Sequence, residues 1–526
     1  MKCPISPERF PSRSLFTGSV LALLASAFLP GVAEGSPGPD STRAPAGKHS
    51  QVLASPSDDE YTWISLGADA LSALDRAGLL LLTDVEQRVD VVDDISAVRV
   101  RRADLHAIAS TIHEELNRCG GFMMHSSYQD SADAILASAL PQPPTAARLA
   151  EYTVDNREGV EALIDELDES NLISTITALS SYQNRLYNSV AGVQAAQSLA
   201  DKWRTFSAAR ADASVGLINH SQFPQPSVVL TITGASQPDE IVVIGGHLDS
   251  IAFDNNGNDS LIAPGADDNA SGIAAISEVA RAVLETGYRP ARTIEFYGYA
   301  GEEIGLVGSA DIARQARVAG HNIVGVLQLD MVNYKGPSSD IVLINDNTDV
   351  QLSNFVAQLI DTYVGGVVLS DSCGYACSDH ASWHRQGFAA ALPHEARVSE
   401  HNPAIHTPGD TIDRSAGRAE HAMKFTKIAA AFVAELGKGS LPVDGQDPQN
   451  GNDQGGGGQD GGDNGSPANN NPGSDPSLTS GCRASAATGP GSGSSLAALV
   501  LLGLAIVCRR YRRKTRTQRA TTHSLT

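Results

Sequence analysis

The chain has 526 residues, of which 41% are hydrophobic, and 38 Lys and Arg against 60 Asp and Glu give a formal net charge of −22. This length exceeds one ordinary domain, and the hydrophobic content is sufficient for a substantial core, which excludes a wholly disordered chain. Nucleic-acid binding is also excluded, because a phosphate backbone requires clustered Lys and Arg and the body of this chain is acidic.

The chain opens with a short basic segment followed by an apolar run. Lys2, Arg9 and Arg13 precede an apolar run over residues 15–29, and small residues follow it up to Ala33. This order is typical of a secretory signal, whereas a membrane anchor would need a longer run. We therefore predict a signal peptide over residues 1–33 and a secreted or cell-surface protein.

A linker and a small folded region follow the signal. Residues 34–60 are rich in Pro, Ser and Gly and are interpreted as a linker, whereas residues 61–149 have core signals of their own. The pattern predicts a small α+β unit that ends at a proline-rich turn. Its predicted elements are strands over 79–82, 89–92 and 98–100 and a helix through Leu105, Ile108, Ile112 and Leu116.

The main domain, residues 150–438, alternates apolar strands with amphipathic helices. This alternation predicts a three-layer α/β sandwich whose central sheet is mostly parallel. Functional residues gather at the carboxyl ends of the strands in such sheets. The predicted strands cover residues 228–232, 241–244, 293–297, 323–329, 341–344 and 388–392, and the predicted helices cover 273–283, 352–363 and 419–436.

Polar motifs follow these strands directly. They are His247 and Asp249 after the second strand, Asp267 and Asp268 at the start of a helix, Glu302 and Glu303 after the third strand, Asp330 after the fourth, and His406 in a loop. Each motif alone is commonly a helix cap or a solvated turn. Together they place several carboxylates at one sheet edge, which is unfavourable unless cations bind there.

Two imidazoles and three carboxylates suit a pair of zinc ions. One carboxylate would bridge the ions, and a carboxylate outside the ligand set would serve as the base. The adjacent Glu302 and Glu303 point in different directions, so that one can bind metal while the other faces the substrate. His247 and Asp249 lie two positions apart on an extended strand, where Asp249 can orient the imidazole.

Six cysteines occur in the sequence, and the spacing of Cys373 and Cys377 suits a disulfide across a tight loop in an exported protein. The alternative is that these two cysteines bind a metal ion. Cys119 is left without an obvious partner. It is either a buried, unreactive thiol or a ligand that caps a zinc ion in the precursor.

The C-terminal region divides into a linker and a tail. Residues 439–480 are rich in Gly, Asn, Asp and Pro, which predicts a flexible tether. Residues 481–526 begin with Gly481-Cys482 and continue with a short apolar run and an arginine cluster. This tail resembles C-terminal sorting signals of the myxobacterial type, which implies processing near Cys482. A simple tail anchor with transient membrane association is the alternative.

The motifs of the main domain resemble those of the M28 zinc aminopeptidases, and most closely those of the secreted leucyl enzymes of the Vibrio and Aeromonas type. The resemblance covers about residues 170–413 and rests on His247-x-Asp249, Gly-Ala-Asp267-Asp268-Asn-Ala-Ser-Gly, Glu302-Glu303-x-Gly-Leu-x-Gly-Ser, Gln328-Leu-Asp330-Met331, Ile405-His406-Thr and Cys373-Gly-Tyr375-Ala-Cys377. It implies a zinc exopeptidase fold, two zinc ions per chain, substrates with a free N-terminus and a monomer. It also implies that residues 61–149 are a removable prosegment that assists folding and restrains activity.

The resemblance further implies a role for each motif residue. Asp267 would bridge the metals, His247 and Asp330 would complete one site, and Glu303 and His406 the other. Glu302 would take a proton from the attacking water and give it to the leaving amine, and Asp249 would assist it by orienting His247. The peptide bond between Asp267 and Asp268 would be cis. Met331, Tyr375 and Ile405 would line the pocket for the N-terminal side chain.

The chain departs from the family pattern around that pocket, where His394, Val398 and His401 replace aromatic residues. A wider, more polar pocket is one reading, and surface-loop histidines are the other. Three other functions remain as alternatives: a dizinc carboxypeptidase or dipeptidase, a catalytically inactive receptor domain, and a glutaminyl cyclase. The first requires a cation for the substrate carboxylate, and no arginine near the motifs is an obvious candidate.

Overall fold

The computed structural model describes residues 61–79, 89–91, 95–116, 118, 121–125, 127–139, 152–253 and 262–442. The chain divides into two compact units, residues 1–446 and 447–526, and every described residue belongs to the first. The predicted signal peptide, both linkers for almost all of their length, the C-terminal tail and Cys119 lie outside the described residues, so these assignments stay predictions.

The described strands and helices alternate through the main domain. The strands are β1 Tyr61–Gly67, β2 Val89–Val91, β3 Ile95–Arg101, β4 Phe122–His125, β5 Ala213–Ile218, β6 Ser227–Ile232, β7 Gln237–His247, β8 Arg292–Tyr299, β9 Asn322–Gln328, β10 Ile341–Ile344, β11 Val368–Asp371, β12 Ala390–Ala391 and β13 Pro393–His394. The helices are α1 Ala68–Arg76, α2 Leu105–Leu116, α3 Tyr128–Ala139, α4 Arg157–Asp165, α5 Glu169–Ser180, α6 Val190–Ser207, α7 Gly272–Glu285, α8 Val307–Ala319, α9 Val350–Leu359, α10 His380–Arg385 and α11 Glu420–Gly437.

A six-stranded sheet forms the centre of the main domain, in the order β12-β9-β7-β8-β6-β5. The first four strands are parallel, and β6 and β5 are antiparallel to their neighbours. Val242 and Ile244 of β7 point into one apolar cluster, whereas Ile241 and Val243 point into another on the opposite face. Both faces of the sheet are therefore covered, which confirms the predicted three-layer α/β sandwich with a mostly parallel sheet.

Helices α7 and α11 pack on one face of the sheet, and α8 and α10 lie on the other. Ile273, Ile276 and Val283 of α7 enter the larger cluster because their spacing puts them on one side of the helix. Trp383 of α10 lies in the cluster on the opposite face.

The N-terminal module, defined here as residues 61–139, is a separate small α+β layer. Its antiparallel sheet has the order β2-β3-β1-β4, and helices α1 and α2 pack together. The predictions of strands at 89–92 and 98–100 and of the helix over 105–116 are confirmed as β2, β3 and α2. The predicted strand over 79–82 falls mostly outside the described residues, and β1 and β4 were not predicted.

Two elements end earlier than the sequence-based prediction, for reasons that the structure shows. The strand predicted over 388–392 pairs only at Ala390–Ala391, because the chain then turns to join β10 through β13. The helix predicted to residue 363 loses its α-geometry after Leu359 and continues as a π-turn. Within the described part of the chain, no helix is long and apolar enough to cross a membrane.

Candidate active site

The carboxyl ends of β7 and β9 bring the first two predicted site residues together. His247 is the last residue of β7, and Asp330 follows β9, its parallel neighbour. His247 Nε2 lies 3.2 Å from Asp330 Oδ1. Ser378 donates a hydrogen bond of 2.6 Å to the other oxygen of Asp330 and so fixes the carboxylate orientation.

Asp268 connects this pair with His406. Its Oδ1 lies 3.0 Å from His247 Nε2, and its Oδ2 lies 3.2 Å from His406 Nε2. One carboxylate thus has an oxygen near each imidazole, which is the arrangement expected of a bridging ligand.

The prediction that Asp267 takes this bridging position is therefore wrong. The Asp267 carboxylate instead accepts a hydrogen bond of 3.0 Å from the Asn333 backbone N–H and one of 3.1 Å from Asn402 Nδ2. These bonds hold it away from the imidazoles. Asp268 has φ −105° and ψ 90°, outside the helical region. The side chains of Asp267 and Asp268 therefore do not have the relative directions that a regular helix would give them.

The cis peptide bond also lies one position later in the chain than predicted. The cis bond joins Asp268 and Asn269 rather than Asp267 and Asp268. The loop before it is held by Asp410, whose carboxylate accepts the backbone N–H groups of Asp267 and Asp268 at 3.2 and 3.1 Å.

Glu303 and His406 form the other side of the site. Their Oε2 and Nε2 atoms lie 2.8 Å apart, and both residues are buried. Glu303 lies beyond the end of β8, and His406 lies in the loop predicted from the sequence. The structure thus brings His247, Glu303, Asp330 and His406 together as predicted, with Asp268 in the place of Asp267.

Asp249 positions two segments of the site. Its carboxylate accepts the backbone N–H groups of Glu302 and Glu303 at 3.0 and 3.2 Å. His247 Nδ1 lies 3.2 Å from the carbonyl oxygen of Asp249 and 3.6 Å from its carboxylate. Asp249 therefore ties the His247 strand to the Glu302–Glu303 turn and contacts His247 mainly through its backbone carbonyl.

Burial and neighbouring charges shift the pKa values of the site groups strongly. Burial raises the pKa of Glu303 to about 7. Burial also raises the pKa of Glu302 well above its usual range, and the carboxylates of Glu303 and Asp330 add to this. Burial opposes protonation of His406, but the Glu303 and Asp268 carboxylates outweigh it and raise its pKa to about 10. Without a cation, this cluster retains protons that a cation would displace.

The donor set fits a metal centre. Atoms of His247, Asp268 and Glu303 lie within 4.8 Å of one another. Within the described ranges, neither carboxylate oxygen of Glu303 and neither ring nitrogen of His406 has a hydrogen-bond partner of good geometry, despite the 2.8 Å approach of Oε2 to Nε2. Buried polar atoms are normally hydrogen-bonded. Carboxylate oxygens and ring nitrogens that lie close together without well-formed hydrogen bonds therefore indicate ligands for a shared cation.

A small pocket opens beside Asp330 and contains two of the three predicted substrate-binding residues. Met331 and Tyr375 line it, and Ile405 is fully buried and packs against Met331. The disulfide between Cys373 and Cys377 is present and forms part of the wall, together with Leu392, His394, Val398 and His401.

His394 and His401 are both buried, which rejects the surface-loop reading. Nδ1 of His394 lies 2.8 Å from the carbonyl oxygen of Ala396, so the ring is held in the pocket wall. This wall is accordingly more polar than an all-aromatic one.

Sequence reasoning missed one supporting residue besides Asp268 and Asp410. Arg185 is fully buried and donates to the carbonyl oxygens of Leu248 and Gly265 at 2.8 Å each, in the loops that flank His247 and Asp267. No local motif marks it, because its role depends on loops 63 and 80 positions away.

A family profile described as Peptidase family M28 matches residues 227–431 of the chain. A probable leucine aminopeptidase of Trichophyton verrucosum is 38% identical over 294 residues, which is 55% of this chain and 79% of that protein. A leucine aminopeptidase 1 of Arthroderma otae is 38% identical over 322 residues, which is 58% of this chain and 83% of that protein.

Two solved structures from Legionella pneumophila are similar to about 72% of the chain. The crystal structure of LapB has a TM-score of 0.62 at 30% identity and covers 72% of this chain and 100% of LapB. The structure of the LapA aminopeptidase has a TM-score of 0.61 at 30% identity and covers 72% of this chain and 98% of LapA. The predicted particular closeness to enzymes of the Vibrio and Aeromonas type is not tested by these similarities.

Proposed function

We propose that this chain, which belongs to peptidase family M28 and is a zinc-dependent aminopeptidase, uses two zinc ions to remove hydrophobic, leucine-like residues from the N-terminus of peptides. The observation that carries the proposal is the Asp268 carboxylate, which lies 3.0 Å from one imidazole and 3.2 Å from the other. Each imidazole also has a carboxylate of its own, Asp330 for His247 and Glu303 for His406. The site therefore has two similar halves that share one carboxylate, as a dinuclear centre requires.

In this proposal His247 and Asp330 would hold one zinc ion, Glu303 and His406 would hold the other, and Asp268 would contribute to both sites. The bound pair would supply Lewis-acid polarisation of the peptide carbonyl and of the attacking water. Asp249 fixes the two halves of the site relative to each other, because its carboxylate accepts hydrogen bonds from the backbone N–H groups of Glu302 and Glu303.

Glu302 is the general base of the proposal. It is buried beside the ligands, and within the described ranges its Oε2 atom has no hydrogen-bond partner. Its backbone is fixed through Asp249 while its carboxylate is left to exchange a proton. It would accept a proton from the attacking water and deliver it to the leaving amine.

The pocket beside Asp330 is proposed to take the N-terminal side chain. Met331, Leu392 and Val398 favour an apolar side chain, as in the relatives named leucine aminopeptidases. His394 and His401 lie in the same wall and extend acceptance to side chains with a polar end.

We further propose that the chain is exported through its signal segment, acts as a monomer at the cell surface or in the medium, and is first made as a precursor. The support is the order of segments in the sequence, a signal-like start and a Gly-Cys, apolar and arginine-rich tail. The test is the fraction of protein found outside the cell after deletion of residues 1–33, which we expect to fall to background.

The activity is tested with pairs of leucyl peptides that differ only in N-acetylation. We expect hydrolysis of the free peptide, no hydrolysis of its acetylated form, and loss of the activity after chelation with recovery on zinc addition. Equal hydrolysis of both forms would favour the carboxypeptidase alternative. Zinc binding without hydrolysis of any peptide by the protein from which residues 61–149 have been removed would favour the inactive receptor.

A further inference from the structure

Helix α2 of the N-terminal module contacts the candidate metal centre through His113. The His113 ring on this helix has its centre 4.8 Å from the centre of the His406 ring, at an interplanar angle of 44°. It also contacts Phe253, with ring centres 6.0 Å apart. His113 of the N-terminal module therefore contacts His406, one of the proposed ligands.

The His113 ring also has an atom available for a ligand. Its Nδ1 is buried and has no hydrogen-bond partner of good geometry among the residues that the structure describes, although the Arg118 backbone lies close enough to act on the ring. His113 is close enough to Asp268 and His406 for both to act on it electrostatically. A buried nitrogen without a partner is costly unless something binds it.

The distance between the two rings suits two imidazoles on one ion. A zinc–nitrogen bond is about 2 Å long and the coordination is close to tetrahedral, so two imidazoles on one zinc ion have ring centres about 5 Å apart. The observed separation of 4.8 Å agrees with this value.

Several contacts anchor the N-terminal module in this place. The backbone N–H of Met124 donates to the Gly305 carbonyl oxygen at 3.1 Å, next to the Glu302–Glu303 turn. Arg385 of the main domain forms an ion pair with Asp130 of α3. Ile251 and Phe253 of the main domain join the apolar core of the module. The position of His113 is thus fixed by contacts on several sides.

A second contact covers the side-chain pocket. The Arg118 guanidinium lies 4.0 Å from the centre of the Tyr375 ring and is held there by an ion pair of 2.8 Å with Asp69. The module therefore lies over both the metal centre and the wall of the proposed specificity pocket.

We propose that His113 is an additional metal ligand on the His406 side, one that takes the position needed by the substrate's α-amine and so blocks the site until the N-terminal module leaves. This inference rests on the proposed dizinc function. It gives the buried Nδ1 atom of His113 a binding partner, and it assigns the block to one side chain rather than to the bulk of the module.

The test uses the full uncleaved chain loaded with Co²⁺, whose visible spectrum reports its ligands. His113→Phe keeps a ring against His406 but lacks the nitrogen, and His106→Phe on the same helix, where His106 stacks on Tyr187, is the matched control. We expect His113→Phe to change the Co²⁺ spectrum and to weaken the affinity for one of two zinc ions by at least about tenfold, whereas His106→Phe changes neither. Thermal unfolding of the metal-free proteins checks that both variants are folded.

The outcomes separate the two hypotheses. Two bound metal ions with the same spectrum and affinity in His113→Phe and the unmodified chain would overturn the role of His113 and leave the proposed function intact. An unmodified chain that binds no metal would overturn the proposed function itself. A spectral change in Cys119→Ser without one in His113→Phe would assign the ligand to Cys119 and also overturn the proposal.

Discussion

At the scale of single residues, Glu302 combines burial, a fixed backbone and an oxygen without a hydrogen-bond partner among the described residues. We expect Glu302→Gln to lower kcat by about 10²–10⁴-fold, because an amide cannot accept the proton of the attacking water. The measurement is kcat of the fully processed enzyme on a leucyl substrate, with zinc content determined on the same sample.

Zinc content is the control for this variant, since Glu302 is not a proposed ligand. Full zinc content with the loss of kcat would establish the role of a base. Full activity in Glu302→Gln would remove Glu302 from the mechanism.

The histidines of the pocket wall give a prediction about specificity. His394→Phe replaces a polar ring with an apolar one beside Met331 and Val398. We expect the ratio of kcat/KM for leucyl over glutaminyl substrates to rise by about tenfold, because the polar side chain loses a hydrogen-bonding wall. His321→Phe, at an exposed position, serves as the control and should leave the ratio unchanged. An unchanged ratio in His394→Phe would place the pocket for the side chain elsewhere.

Most of the site residues could be predicted from the sequence because each follows a strand or lies in a recognisable motif. His247 and Asp330 follow parallel neighbours β7 and β9, so their proximity is a consequence of strand order. The choice between Asp267 and Asp268 could not be predicted in this way. It depends on the backbone angles of Asp268 and on Asn333 and Asn402, which bind Asp267 from distant parts of the chain.

At the scale of elements, the start of α7 lies close to the end of β9. A Cβ on Gly272 would lie 2.3 Å from the Leu329 carbonyl oxygen and 2.4 Å from Asn269 Oδ1, so only glycine permits this approach. We expect Gly272→Ala to lower the free energy of unfolding by about 1–3 kcal/mol. It should also weaken zinc binding, because the shift displaces Asp268 relative to Asp330.

Gly216→Ala in β5 is the matched control, since its Cβ would meet only the Val229 side chain at 3.4 Å. Chemical denaturation of the two metal-free variants measures the difference. Equal stability of the two variants would show that α7 and β9 can separate without cost.

Those main-domain elements that were predicted, such as β7 and α7, have long and regular apolar patterns. β1 and β4 were not predicted, because their pairing, such as Ile64 with Met124, joins segments that are distant in the sequence. The predicted end of the strand at residue 392 was also wrong. The chain turns after Ala391 so that β13 pairs with β10, and local hydrophobicity does not reveal this turn.

At the scale of the whole molecule, zinc binding should depend strongly on pH. In the metal-free fold the pKa of His406 is raised to about 10 and that of Glu303 to about 7, so both groups carry protons at lower pH. Zinc binds their deprotonated forms, so a higher pH removes the competing protons and strengthens binding. We expect zinc affinity to rise at least about tenfold per pH unit between about pH 6 and 8, because at least one proton leaves for each ion bound.

Competition with a chromophoric chelator at several pH values measures this dependence. The dependence should become shallower in Glu303→Gln, which removes one of the two titrating groups. A zinc affinity that is constant between about pH 6 and 8 would contradict the claim that protons on Glu303 and His406 compete with zinc.

The account as a whole depends on a dinuclear zinc centre with Asp268 at its middle, and elemental analysis of zinc per chain tests this most directly. We predict two zinc ions in the unmodified chain and in Asp267→Asn, and fewer than one in Asp268→Asn, because the Asp268 carboxylate lies within 3.2 Å of both imidazoles. Less than one zinc ion in the unmodified chain, or two retained in Asp268→Asn, would contradict the account.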